Sequence, residues 1–237
     1  MSFPNMVLSQ QVRLAMNLFP LYNSVRIALI SCFFTFFLGI FLAYQVRKLN
    51  PTVKGFLDVI LTLPLVLPPT VVGFFLLKSL GPNNYLGEFF ARRDISLVMR
   101  WYSAVFATII VTFPLMYRTS RGAFESFDMN LKYAAQTLGK SNTWIFWRIV
   151  LPSCKKEILA GLILSFARAL GEYGATSMVS GFIPNKTATI STTVYQLRRI
   201  GQDSLAYKWV LINLAISFVV LLSLNLLESK EKNHASV

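Results

Sequence analysis

The chain has 237 residues, of which 54% are hydrophobic and only 14% are charged, and its formal net charge is +13. Soluble globular domains carry about 25% charged residues, and here the apolar residues form long uninterrupted blocks, so the composition excludes an ordinary soluble domain and predicts an all-α membrane protein. The Lys and Arg residues lie between the apolar blocks rather than along one face. This pattern argues against nucleic-acid binding and is typical of basic loops beside membrane spans.

About 20 apolar residues in a helix cross the hydrocarbon core, which is about 30 Å thick. On this measure residues 1–237 are predicted to form a single transmembrane domain with five spans, at about 25–46, 56–78, 101–118, 157–183 and 209–228. Pro64, Pro68 and Pro69 interrupt the second span. Such prolines are tolerated where neighbouring helices or water satisfy the freed carbonyls. We therefore predict a kinked second span that lines or gates a pathway.

Residues 124–152, between spans three and four, are predicted to form two short helices. Asp128 can cap the first helix, which should end near Gly139. Ser141 or Asn142 can cap the second, which should stop at Pro152. On pattern alone, an amphipathic hairpin resting on the membrane surface is an equally good interpretation.

The residues of this segment resemble a known signature. The string YAAQTLGKSNTWIFWRIVLP is similar to the cytoplasmic coupling motif of ABC importer permeases, in which Glu-Ala-Ala precedes a Gly and, further on, Ile-x-Leu-Pro. Tyr133 stands where that family usually has Glu, a departure that bears on a polar contact to the ATPase. The positions in register are Ala134, Ala135, Gly139, Ile149, Leu151 and Pro152.

Two flanking stretches narrow the resemblance. LTLPLVLPPTVVGFFLL in span two and FARALGEYGATSMVSGFIP in span four resemble the molybdate permeases of type I ABC importers, and sulfate permeases are similar in the second stretch. The triplet Gly139-Lys140-Ser141 imitates the end of a phosphate-binding loop, but the required earlier glycine position is Ala134. The sequence therefore predicts no cofactor of its own, with ATP and magnesium bound by a separate ATPase.

The resemblance implies a transport subunit rather than an enzyme. Its expected partners are a second copy of the chain, two ATPase subunits, an external oxyanion-binding protein and the lipid bilayer, with no nucleic acid. It also implies a plasma (inner) membrane location, with the N-terminus outside and the C-terminus in the cytoplasm. Sulfate, tungstate or another oxyanion are alternative cargoes, and an ATP-independent channel or secondary transporter is an alternative mechanism.

Arg168 and Glu172 are four residues apart in span four, so they share one helix face and can form an ion pair. Ionisable residues inside a span are costly and often functional. Two interpretations stay open: a structural pair that fixes helix packing, or residues of the translocation pathway together with Pro64, Pro68 and Pro69. The sequence shows no cluster with metal-ligand spacing and no catalytic arrangement.

Overall fold

The computed structural model describes residues 17–82 and 84–232, and within these ranges the regular structure is helical, with no strand. A single π-helical turn, Phe146–Val150, interrupts the α-helices. The α-helices are α1 (Phe19–Val46), α2 (Pro51–Val66), α3 (Pro69–Leu80), α4 (Tyr85–Ala91), α5 (Trp101–Glu125), α6 (Met129–Thr137), α7 (Asn142–Ile145), α8 (Leu151–Ser153), α9 (Lys155–Leu170), α10 (Gly174–Ser180), α11 (Ile190–Arg199) and α12 (Asp203–Lys232).

Helix α5 lies at the centre of the fold. It packs against α1, α9, α10, α2 and α3, and about half of its residues are buried. The buried set includes the hydroxyl side chains of Ser103, Thr108, Thr112 and Ser120. Because neighbouring helices cover about half of its residues, α5 does not need an apolar surface on every side.

Two helices in the described part of the chain are individually long and apolar enough to cross a membrane, namely Phe19–Val46 and Asp203–Ser223. Two helix pairs, α2 with α3 and α9 with α10, are long and apolar enough only when each pair is taken together, and they are bent by 106° and 56°. Helix α5, which has 25 residues, is not among these candidates. The five-span arrangement therefore stays a prediction.

The predicted second span is bent by 106° between α2 and α3, which is more than a kink. Helix α2 runs through Pro64 and ends at Val66, and Leu67 and Pro68 are extended, with ψ of 140° and 134°. A residue that precedes proline is pushed out of the helical region, and both residues here precede one. Pro69 then starts α3 at a position where its missing N–H costs nothing. The prediction that Pro64 interrupts the span was wrong, whereas the interruption at Pro68 and Pro69 is confirmed.

The fourth span is also discontinuous. The sequence predicts one run over residues 157–183, but α9 ends at Leu170 and α10 begins only at Gly174. Gly171 and Gly174 flank the break, and glycine is a weak helix former. The intervening Glu172 keeps a buried ion-pair contact, which is described below.

The segment between α5 and α9 confirms two predicted caps. The Asp128 carboxylate accepts a hydrogen bond from the backbone N–H of Asn130 at 2.9 Å, and the Ser141 hydroxyl accepts from that of Trp144 at 3.3 Å. The helical run that begins at Asn142 ends at Ser153, one residue beyond the predicted stop at Pro152. A π turn, with its wider hydrogen-bonded rings, precedes Pro152 and accommodates a residue that cannot donate an N–H.

Candidate translocation and coupling sites

The two bent helix pairs, α2 with α3 and α9 with α10, meet at small residues. A Cβ atom added to Gly73 of α3 would lie 2.7 Å from the Cα of Ala175 in α10, and one added to Gly174 would lie 2.9 Å from the Cβ of Pro69. Backbones approach this closely only where side chains are minimal. We call this contact, formed by Pro69, Gly73, Gly174 and Ala175, the span crossing.

A buried ion pair lies beside the span crossing. Nη1 of Arg168 is 2.7 Å from Oε2 of Glu172, and Oε1 of Glu172 accepts a hydrogen bond from the backbone N–H of Ala175 at 2.8 Å. Glu172 is 3% exposed, whereas the Arg168 side chain is 33% exposed. The ion pair predicted from the i, i+4 spacing is therefore present, and its carboxylate also satisfies an N–H in the first turn of α10.

The predicted pathway residues do not all lie together. Pro69, Glu172 and Arg168 are at or next to the span crossing, and Pro68 forms the adjacent extended link. Pro64 lies inside α2, on the far side of the bend. Pro68, Pro69, Arg168 and Glu172 therefore lie at or next to the contact between α3 and α10, whereas Pro64 does not.

Replacing Gly73 with alanine is expected to destabilise the protein by about 1–3 kcal/mol, the usual cost of overpacking a tight interior. The added methyl group would meet the backbone of Ala175 rather than a flexible side chain. The midpoint of thermal unfolding of the purified complex measures this.

Gly55→Ala is the matched control for that substitution. Gly55 also lies inside a helix, but a Cβ there would meet nothing within 4 Å, so the same change should stabilise by about 0.5–1 kcal/mol through helix propensity alone. Equal shifts for the two variants would contradict close packing at the span crossing.

The segment between α5 and α9 presents an apolar face to solvent. Leu131, Ala134 and Leu138 lie at i, i+3 and i+7, so they share one side of the helical turns, and the two leucines are 49% and 77% exposed. Ala134 is exposed as well. We call these three residues the coupling face. Tyr133, also exposed, lies at the neighbouring position.

The remaining residues of the signature hold this segment in place. Ala135 is buried in a cluster that includes Phe124 and Ile145, and Ile149 and Leu151 pack against that cluster. Gly139 has φ +72° and so lies in the left-handed region that ends a helix at low cost. Pro152 is exposed. The amide Nε2 of Gln136 donates to Oδ1 of Asn142 at 3.0 Å and ties the two short helices together.

A charged network that the sequence does not reveal joins α2 to α5. Arg121 pairs with Asp58 and, through Nε at 3.1 Å, with Glu125, while Lys54 binds Glu125 as well. The hydrogen bond from Lys54 holds the pKa of Glu125 below its ordinary value, with a smaller contribution from Arg121. Only the pair Arg121 and Glu125, at i, i+4, carries a local sequence signal.

Comparison with known proteins identifies the class. The model of the family "Binding-protein-dependent transport system inner membrane component" matches residues 35–233. The chain belongs to this family. It is therefore a membrane-embedded transport permease, and its described structure is that of an all-helical member.

The chain is similar in sequence to permease proteins of molybdenum and sulfate transport systems. The molybdenum transport system permease protein ModB of Escherichia coli K12 is 38% identical over 201 residues, which cover 84% of this chain and 88% of that protein. The putative molybdenum transport system permease protein YvgM of Bacillus subtilis is 36% identical over 85% of this chain and 89% of its own length. The sulfate transport system permease protein CysW of Synechococcus elongatus is 34% identical over 81% and 67%.

Solved structures support the fold. A bacterial alginate ABC transporter, crystallised with an alginate-bound periplasmic protein, contains a chain that matches 90% of this permease and 80% of its own length, with TM-score 0.73 and 19% identity. The MetNI methionine ABC transporter in an inward-facing conformation matches 97% and 99%, with TM-score 0.70 and 12% identity. The permease thus has the fold of ABC transporter permeases and is the ModB-like permease subunit of an ABC importer.

Proposed function

We propose that this permease carries molybdate into the cell as the membrane-spanning subunit of an ATP-driven importer. The observation that carries the cargo assignment is the 38% identity to a molybdenum permease over nearly the full length of both chains. Sulfate is the second candidate, because sulfate permeases are related at 34% identity over a smaller share of their length.

The proposed assembly contains two copies of this chain, two ATPase subunits and an external oxyanion-binding protein. ATP and magnesium bind to the ATPase subunits, and this chain contributes no cofactor. The chain crosses the inner membrane five times, with the N-terminus outside and the C-terminus in the cytoplasm. In this orientation α1 runs inward, and the coupling face lies at the cytoplasmic surface.

The coupling face is the proposed docking site for the ATPase. Exposed apolar residues on a short helix are suited to a groove in a partner. The small side chain of Ala134, between Leu131 and Leu138, would let the ATPase surface approach the helix closely. Closure of the ATPase subunits on ATP would move this segment and shift the pathway between inward and outward states. Such coupling requires that each ligand favour one of two conformations.

The span crossing is the proposed centre of the pathway. Irregular backbone at membrane depth is tolerated where it is buried in protein or lines a cavity, and both broken spans place their breaks here. Glu172 offsets the charge of Arg168. A dianion would therefore meet a partly neutralised cation, to which it binds weakly enough to leave again.

Uptake into proteoliposomes tests the proposal. The permease is reconstituted with its ATPase and binding protein, and radioactive molybdate uptake is measured with and without ATP, in competition with tungstate and sulfate. We expect ATP-dependent uptake that excess sulfate does not suppress. Preferential suppression by sulfate would transfer the assignment to sulfate, and gradient-driven uptake by this chain alone would replace the importer mechanism with a channel or secondary transporter.

A further inference from the structure

An open groove runs along α1 towards the C-terminal end of that helix, where Arg47 and Lys48 follow. Its volume is about 570 Å³. On one side it is lined by Phe36, Phe37 and Phe41 of α1, and on the other by Trp147 and Leu151. It meets a second apolar groove of about 590 Å³ between α1, α9 and α12, because Phe36 and Phe37 line both.

One end of the groove is polar. Gln45, Lys48, Asn142 and Thr143 line it there, beyond the last aromatic residue of α1, Tyr44. The ammonium group of Lys48 donates to Oε1 of Gln45 at 2.7 Å and lies 4.3 Å from the centre of the Tyr44 ring. An ammonium group has three donors, so this interaction leaves Lys48 able to bind a further acceptor at the mouth of the groove.

The polar end is crowded with positive charge. Partial desolvation, together with repulsion from Lys132 and Arg47, lowers the pKa of Lys48, although the residue stays exposed. Arg47 itself donates to the backbone carbonyl of Phe124 at 2.6 Å, so its charge stays close to the groove. An anion placed here would relieve the repulsion between these three cations.

The dimensions of the groove fit one leaflet of a bilayer. Twelve residues separate Phe36 from Lys48, both of which line the groove, and this spacing corresponds to about 18 Å along a helix that rises 1.5 Å per residue. Half of the hydrocarbon core is about 15 Å thick. The apolar part therefore has the length of an acyl chain region, and the basic part falls at headgroup depth.

The residues that line the groove are separate from the proposed pathway, because none of them belongs to the span crossing. Helix α1 packs mainly against α5 and α9, while the span crossing lies between α3 and α10. The outer face of α1 carries exposed aromatic residues, among them Phe33, Phe37 and Phe41. A surface of this kind, separate from the span crossing, is suited to contact with lipid.

We propose that this groove is a binding site for an anionic phospholipid, whose acyl chains lie along Phe36, Phe37 and Phe41 and whose phosphate binds at Lys48. Basic pockets between transmembrane helices at a membrane surface bind acidic headgroups by the same chemistry. Because Asn142, Thr143 and Trp147 belong to the segment that carries the coupling face, the bound lipid would brace that segment against α1. The inference rests on the proposed membrane placement of this end of α1.

Native mass spectrometry of the intact permease–ATPase complex tests the site. The detergent-purified complex is incubated with equal amounts of phosphatidylglycerol and phosphatidylcholine that have identical acyl chains. We expect at least fivefold preferential retention of phosphatidylglycerol, and Lys48→Gln should reduce this preference about fivefold, the effect of removing one cation near a headgroup. Lys155→Gln is the matched control, because Lys155 is an exposed lysine, two residues after Ser153, where the helical run from Asn142 ends, and does not line the groove.

Three outcomes would overturn the proposal. The first is equal retention of the two lipids by the unmodified complex, a measurement that needs no variant. The second is an equal loss of preference in Lys48→Gln and Lys155→Gln, which would indicate only the bulk charge of the surface. The third is displacement of the lipid by millimolar glycerol 3-phosphate, which would indicate a site for soluble phosphates. Retention is measured without transport, so its failure is distinguishable from failure of the proposed uptake.

Discussion

Replacing Arg168 with methionine is expected to destabilise the permease by about 3 kcal/mol, because removal of one partner of a buried ion pair leaves the other charge without compensation. Glu172 is nearly fully buried, so the single variant leaves the Glu172 carboxylate without its cationic partner. Adding Glu172→Gln should recover most of the lost stability, since glutamine is neutral and its side-chain oxygen can still accept the hydrogen bond from the backbone N–H of Ala175. Thermal unfolding of the purified complex measures all three proteins.

Arg92→Met is the control for this prediction. Arg92 forms the same i, i+4 type of pair with Glu88 at 2.7 Å, but both side chains are more than half exposed, and exposed pairs contribute about 0–1 kcal/mol. A double variant no more stable than Arg168→Met would show that the two residues do not act as a pair.

Uptake by the same double variant separates the two roles left open for this pair. A stable double variant with normal molybdate uptake supports the structural role. A stable double variant whose uptake falls more than tenfold assigns the charges to the pathway, where a cation or carboxylate interacts with the passing anion.

The variant Leu138→Glu is expected to disconnect the permease from its ATPase. Leu138 is the more exposed of the two leucines in the coupling face, at 77%, and burial of its side chain by a partner would contribute about 2 kcal/mol. That loss corresponds to about thirtyfold weaker binding. Co-purification of the two subunits and ATP-driven uptake should both fall, while the thermal stability of the permease alone stays unchanged.

Leu49→Glu provides the matched control. Leu49 is exposed in the turn after α1 and lies outside the coupling segment. Its neighbour Lys48 lines the same groove as Asn142 of that segment. Co-purification retained in Leu138→Glu, or lost equally in both variants, would contradict docking through the coupling face.

Features that depend on neighbouring residues could be predicted from the sequence. The positions of α1 and α12 could be predicted from the apolar blocks. The starts of α6 and α7 could be predicted from the cap residues Asp128 and Ser141, because a cap interacts only with the first turn of its own helix. The spacing of Arg168 and Glu172 predicted their ion pair for the same reason.

Features that depend on distant residues could not be predicted. Nothing in the residues around Asp58 indicates that it meets Arg121, and nothing around Gly73 indicates that Ala175 lies against it. The break before α10 did carry a signal, because Gly171 and Gly174 flank it, but a pair of glycines is equally compatible with close helix packing. At Gly174 both interpretations hold, since it starts α10 and also touches Pro69.

The polar interior of α5 has a consequence for how the chain enters the membrane. A segment inserted alone would expose to hydrocarbon the hydroxyl side chains of Thr108 and Ser120, which neighbouring helices cover in the folded permease. The insertion machinery would therefore release α5 into lipid less readily than α1, and α5 would depend on α1 having arrived first. Efficient insertion of an isolated 101–125 segment, equal to that of 19–46, would contradict this order of assembly, in which the centre of the permease is built around a helix that the bilayer alone does not favour.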